Sequence, residues 1–154
     1  MIEYPMHFSK FLIAVSIPLV VVACGEPADT RPGQPVAHRR AAFEKILHAF
    51  EPMGVQLRNH QYKAEPFLER AKELASVKEG PWEYFGPDTN YPPTHATAKV
   101  WSEPAQFDKE RKAFLAAADR LLLAADSRDE ARVTEAYEAV HEQCRSCHKV
   151  FKEQ

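Results

Sequence analysis

Two thiols and an imidazole fall within five residues of one another near the C-terminal end, in the run Cys144-Arg145-Ser146-Cys147-His148. On a helix, residues three and four apart share a face, so Cys144, Cys147 and His148 would point the same way. Cys-x-x-Cys-His is the attachment signature of c-type haem, in which two thioether bonds fix the porphyrin edge while the imidazole reaches the iron. Three other uses of the triplet compete. A disulfide between Cys144 and Cys147 has poor geometry within a regular helix. A thioredoxin-type redox pair needs a βαβ context, and no such pattern surrounds it. A zinc site would take two sulfurs and His148 but has no obvious fourth ligand nearby.

The elements that must position these groups read as helices. Ala, Leu, Glu, Lys and Arg fill the second half of the 154-residue chain, glycine is scarce, and alternating β-branched runs are absent. A first helix is expected over about Val36 to Asn59, with Phe43, Ile46, Leu47, Phe50, Met53 and Leu57 on one stripe and Pro52 as a possible kink. A second runs from about Pro66 to Lys78, with Phe67, Ala71 and Leu74 facing inward. A long connection from Glu79 to Glu103 is rich in proline and aromatic residues, which argues that it packs against the domain. The third helix starts near Pro104 and carries Phe107, Arg111, Phe114, Ala118, Leu121, Leu122 and Ala125 at three-four spacing. The fourth opens on Ser127-Arg128-Asp129-Glu130, a match to the capping box in which Ser127 and Glu130 satisfy each other's amides. Its apolar stripe is Val133, Tyr137, Val140, Cys144, Cys147 and Phe151, so the haem motif faces the interior. The expectation is an all-α fold, an antiparallel four-helix bundle with one long crossover and haem c near the C-terminal helix.

The N-terminal end speaks to location. Lys10 precedes the apolar run Phe11 to Ala23, which is too short to span a bilayer as a helix and is interrupted by Pro18. It reads as the core of a secretion signal. Val21-Val22-Ala23-Cys24 resembles the lipobox of bacterial lipoproteins, which implies a signal peptide over residues 1–23 and lipidation of Cys24, several acyl chains giving firm membrane anchoring. Met6 makes a more typical start than Met1. Three prolines and two glycines between Gly25 and Pro35 predict a flexible tether over residues 24–35, with the folded domain over residues 36–154. Export favours haem over the competing uses of Cys144 and Cys147, because attachment of this kind in bacteria occurs outside the cytoplasm. The formal charge of -2 argues against nucleic acid as a partner. No convergent acid-base set stands outside the haem motif, so an enzymatic role is not expected.

With the motif placed on the last helix of a bundle, the chain resembles the cytochrome c′ family over roughly Val36 to Gln154. Ala98-Lys99-Val100-Trp101, followed by Phe107, is similar to the family's tryptophan before its third helix. Trp82, Tyr84, Phe85 and Gly86 resemble its aromatic-glycine stretch, and Arg39 with Phe43 resembles the arginine and distal-pocket position of its first helix. The resemblance implies one haem c with His148 as proximal ligand, an open or blocked sixth site, binding of nitric oxide and carbon monoxide, in some members electron transfer with a redox partner, and often a homodimer packed through the first two helices. It also includes low-spin relatives with a methionine ligand, which makes an electron carrier of the c-556 type the alternative. Met53, the only methionine after Cys24, lies ten residues beyond Phe43, about 15 Å along a helix and well below the iron. The expected state is therefore five-coordinate and high-spin, in a periplasmic protein anchored to a bacterial membrane, the outer rather than the inner because Gly25 follows the cysteine. Of the histidines available as a sixth ligand, His38, His48, His60, His95 and His141, the first flanks Arg39 near the expected haem level, His48 falls off the inward stripe, and His141 lies two turns before His148, where it lines the bundle or a haem edge. In one departure from the family, Lys152 stands where an arginine commonly follows the proximal histidine, and a lysine lacks the planar fork of a guanidinium.

Overall fold

The computed structural model describes residues 27–153, and the signal segment, the tripeptide Cys24-Gly25-Glu26 and Gln154 lie outside the described residues. Four long helices make the frame: α1 (Pro35–Arg58), α2 (Ala64–Val77), α4 (Pro104–Asp126) and α5 (Glu130–Phe151), with a short α3 (Lys99–Ser102) in the crossover between α2 and α4. No strand occurs among the described residues. The expected all-α bundle is the fold observed.

Each boundary has a local cause. Pro35 and Pro104 occupy the first turns of α1 and α4, where a missing N–H costs nothing. α1 continues through Pro52 as one helix. α2 begins at Ala64, two residues before the expected Pro66. The start of α5 corrects the sequence reading: Asp129, not Ser127, is its cap, accepting the Arg132 N–H at 3.1 Å. Ser127 instead closes α4, its hydroxyl donating to the Ala124 carbonyl at 2.6 Å. Both residue types cap well, and the left-handed turn at Arg128 (φ 59°) brings Asp129 to the helix start.

The core joins Ile46, Ala49, Phe50 and Met53 of α1 to Phe67, Leu68, Ala71 and Leu74 of α2, Ala117, Ala118 and Leu121 of α4, and Val133, Tyr137 and Val140 of α5. α4 packs along α5, α1 along α2, and α2 along α4, whereas α1 meets α5 only over a short stretch. There Phe50 and Tyr137 stack with ring centroids 4.4 Å apart. Gly54 permits that approach, because a Cβ at this position would overlap Tyr137 Oη. Leu47 departs from the expected stripe: it is 46% exposed.

The segment expected to be a flexible tether is docked over its described part. Asp29 is only 3% exposed. Its carboxylate accepts from the backbone N–H groups of Arg31 (3.1 Å), Val36 (2.9 Å) and Ala37 (3.3 Å) and from the Tyr91 hydroxyl. It thereby does the work of a cap for α1, whose own N-cap Gln34 makes no side-chain hydrogen bond. Composition alone hid this, since one buried acid outweighs the prolines around it.

Candidate cofactor site

Where α1 and α5 diverge, the bundle encloses an open cavity of about 300 Å³. α5 contributes Cys144, Cys147, His148 and Phe151, which recur at helical spacing on one face. α1 faces them with Val36, Arg39, Arg40, Phe43, Glu44, Ile46 and Leu47, α4 adds Phe107, Glu110 and Phe114, and the crossover adds Trp82, Phe85, His95 and Ala96. The exposure of Leu47 follows from this position, for it borders the cavity and not the closed core.

The crossover forms a wall because it is fastened at several points. Trp82 and Trp101 turn their indole N–H groups to the carbonyls of Lys78 (2.7 Å) and Gly86 (2.8 Å). Trp82 and Phe85 pack on Phe43, and Phe85 continues to Phe107 and thence to Phe151, with ring centroids 4.8 to 6.3 Å apart. These separations suit edge-to-face and tilted aromatic pairs. Arg39, 4% exposed, donates to the Tyr84 carbonyl (3.1 Å) and to the hydroxyls of Thr89 (3.4 Å) and Thr94 (2.5 Å). Its guanidinium lies 4.3 Å over the Phe85 ring. The far end of the crossover is clasped to α5: Thr97 donates its N–H to Phe151 and its hydroxyl to Val150, and the Glu153 N–H reaches the His95 carbonyl at 2.8 Å.

The electrostatics suit a neutral, apolar-edged ligand set. Burial pushes both thiols up to about 11, aided at Cys147 by the negative charge of Glu110. Burial, and then the Lys152 ammonium, holds His148 below its ordinary value, so the imidazole is neutral at pH 7 with a lone pair to offer a metal. Cys144 and Cys147 are free thiols, and the described residues hold no cluster of three or more His, Cys, Asp or Glu able to bind a metal ion by themselves. An apolar, aromatic-walled cavity with two thiols and an imidazole on one helix face fits a porphyrin attached at its edge better than it fits zinc.

A family model described as Cytochrome C′ matches residues 34–152. The chain belongs to the cytochrome c′ family. Among curated relatives, the cytochrome c′ of Rubrivivax gelatinosus is 29% identical over 125 residues, 80% of this chain and 97% of that protein. The structure of cytochrome c′ from Shewanella frigidimarina is similar with a TM-score of 0.77 and 32% identity, over 81% of this chain and 98% of that one. A ferrous arginine-to-lysine variant of the Alcaligenes xylosoxidans cytochrome c′, with nitric oxide bound, aligns with a TM-score of 0.75 and 26% identity over the same shares. The cofactor of a cytochrome c′ is a single covalently attached haem c.

Of the residues singled out from the sequence, Cys144, Cys147, His148, Arg39 and Phe43 all meet at the cavity. Met53 does not: it is fully buried in the core below. His38 stacks on Tyr84 with centroids 5.4 Å apart and is not on the cavity wall. His48 is exposed and pairs with Glu73 at 3.1 Å. His141 stacks on Tyr137 at the exposed edge of α5, away from the cavity. Sequence reasoning counted His95 among the available histidines without placing it at the cavity, and passed over Glu44 and Glu110. The first lies in an irregular crossover with no periodicity to mark it, and the acids look like solvated helix positions until α1 and α5 are seen to part.

Proposed function

We propose that this cytochrome c′ is a five-coordinate, high-spin haem protein that binds nitric oxide, and carbon monoxide less readily, at an open iron. Cys144 and Cys147 would hold the haem by thioether bonds, and His148 would coordinate its iron. When bound, the haem supplies an iron for reversible gas binding and one-electron transfer. The chain's part is to attach it, present a neutral imidazole, and crowd the opposite side. The observation that carries this reading is the α1 wall facing His148, where Phe43 stands and where neither a thioether nor an imidazole is offered. A phenyl ring cannot ligate iron, and its bulk restricts larger or weaker ligands. The nitric oxide complex of the Alcaligenes protein supports the ligand class.

The low-spin electron-carrier alternative needs a second protein ligand on the wall opposite His148, where neither Met53 nor His38 stands; His95, which does line the cavity, is tied by its backbone carbonyl to Glu153 at the end of α5, the helix that carries His148. Visible and electron-paramagnetic-resonance spectra of the ferric holoprotein decide between them. A high-spin ferric signal and a nitric oxide adduct on anaerobic titration of the ferrous protein are expected, whereas a low-spin ferric spectrum would sink the open-site reading. The lipobox at Cys24 supports a periplasmic protein held by its lipid to the outer membrane and served by a periplasmic redox partner. Exposed Val55 on α1 (46%) supports a homodimer through that helix.

A further inference from the structure

The docked strap at residues 27–36 changes how far the folded domain can stand from a membrane. With Cys24 as the lipid anchor, the reading proposed above, a tether running to Pro35 would reach about 36 to 40 Å when extended. The structure shortens it. Asp29 is fixed by three backbone N–H groups and the Tyr91 hydroxyl, and the Pro27 carbonyl accepts from Arg40 Nη2 at 3.4 Å. Cys24 is five residues from Asp29 and three from Pro27, which allows at most about 18 Å and about 11 Å respectively.

The point of fastening matters as much as the length. Arg40 and Val36, which hold the strap, also line the cavity. Arg31 lies 4.4 Å over the Tyr91 ring on the same side. The other end of the bundle, at Arg58 and the α4–α5 turn, is a 24-residue helix away, about 36 Å at 1.5 Å per residue. A short tether fixed at one end of a rod cannot present both ends to the bilayer.

We propose that the Asp29 strap holds the cavity end of the bundle against the lipid surface, so that the haem site looks toward the bilayer within about 20 Å of it. Arg31, exposed, stands at that end, where a basic side chain is attracted to anionic head groups. The partner of this face is the lipid bilayer itself.

The haem makes the test direct, because it quenches a fluorophore by energy transfer with a steep distance dependence. The full lipidated holoprotein is reconstituted into phosphatidylcholine–phosphatidylglycerol vesicles carrying a trace of head-group-labelled fluorescent lipid. Strong quenching is expected for the native chain. Ten Gly/Ser residues inserted after Glu26, before the first described residue, add about 18 Å of root-mean-square reach and should lower quenching roughly twofold. Asp29→Ala with Tyr91→Phe should lower it by a smaller factor, with the haem absorption spectrum reporting that the fold is kept. Unchanged quenching on insertion in protein that floats with the vesicles overturns the orientation alone. A chain that neither floats nor shows acyl mass on its Cys24 peptide overturns the anchor, and the orientation with it.

Discussion

Phe43 and Trp82 meet edge to face in the cavity wall, their ring centroids 5.6 Å apart and their planes at 90°. The indole is itself held from behind by the Lys78 carbonyl, so the phenyl ring on α1 has little room to swing aside. Crowding at the α1 wall is therefore built by two elements, not by one side chain.

That pair gives the first prediction. Phe43→Ala should raise carbon monoxide affinity by about tenfold, ~1.4 kcal/mol, while leaving the ferric spectrum high-spin. Stopped-flow binding to the ferrous protein reads the change, and an affinity equal to the native protein's would remove Phe43 from the gate.

Attachment separates the roles of the two thiols from that of the imidazole. Cys144→Ala with Cys147→Ala should abolish haem staining on a denaturing gel, while each single variant keeps one thioether and stains. His148→Ala should retain covalent haem but lose the native axial spectrum.

Gly54 faces Tyr137 without room for a Cβ. Gly54→Ala should destabilise the apoprotein by about 1–3 kcal/mol through overpacking, in spite of alanine's better helix propensity. Adding Tyr137→Phe should recover part of that loss, since the hydroxyl is the nearest atom. Urea denaturation followed by circular dichroism measures both.

Arg39 satisfies three oxygens of the crossover at once. Arg39→Ala should cost about 1–3 kcal/mol by leaving those acceptors unpaired, and Arg39→Lys should restore less than half, because an ammonium cannot reproduce the fork. Faster amide exchange across residues 84–94 is the accompanying sign.

Strap docking should depend on pH through Asp29. Burial raises its pKa, but the hydrogen bonds from Arg31, Ala37, Tyr91 and Val36 outweigh that, and the folded value lies below 3.8. As pH falls, the unfolded chain takes up the proton first, so the carboxylate's contribution is full above about 3.8 and is lost as pH drops through the folded value. Hydrogen exchange at the Val36 and Ala37 amides should accelerate below that point, and Asp29→Asn should flatten the dependence.

Much of this was legible in the sequence. Helical spacing put Cys144, Cys147 and Phe151 on one face with Val133 and Tyr137, and the structure keeps them there. Periodicity, though, marks only that a face is covered, and cannot say whether core or cavity covers it. Leu47 and Glu110 were unreadable for that reason. Asp29 was hidden differently: its partners Val36 and Tyr91 are 7 and 62 residues away, and no local pattern connects an acid among prolines to either. The cap at Asp129 failed at a finer scale, where two adequate capping residues stood two positions apart and the backbone turn at Arg128 chose between them.

The raised thiols have a consequence for the chain before it meets its haem. Pushed up to about 11 by burial, both Cys144 and Cys147 are held as thiols, not thiolates, at pH 7. Disulfide exchange runs through the thiolate, and the helix already holds the pair in a poor geometry for bonding to each other. Side by side on one helix face, the two sulfurs are thus better disposed toward a porphyrin edge entering the cavity than toward each other.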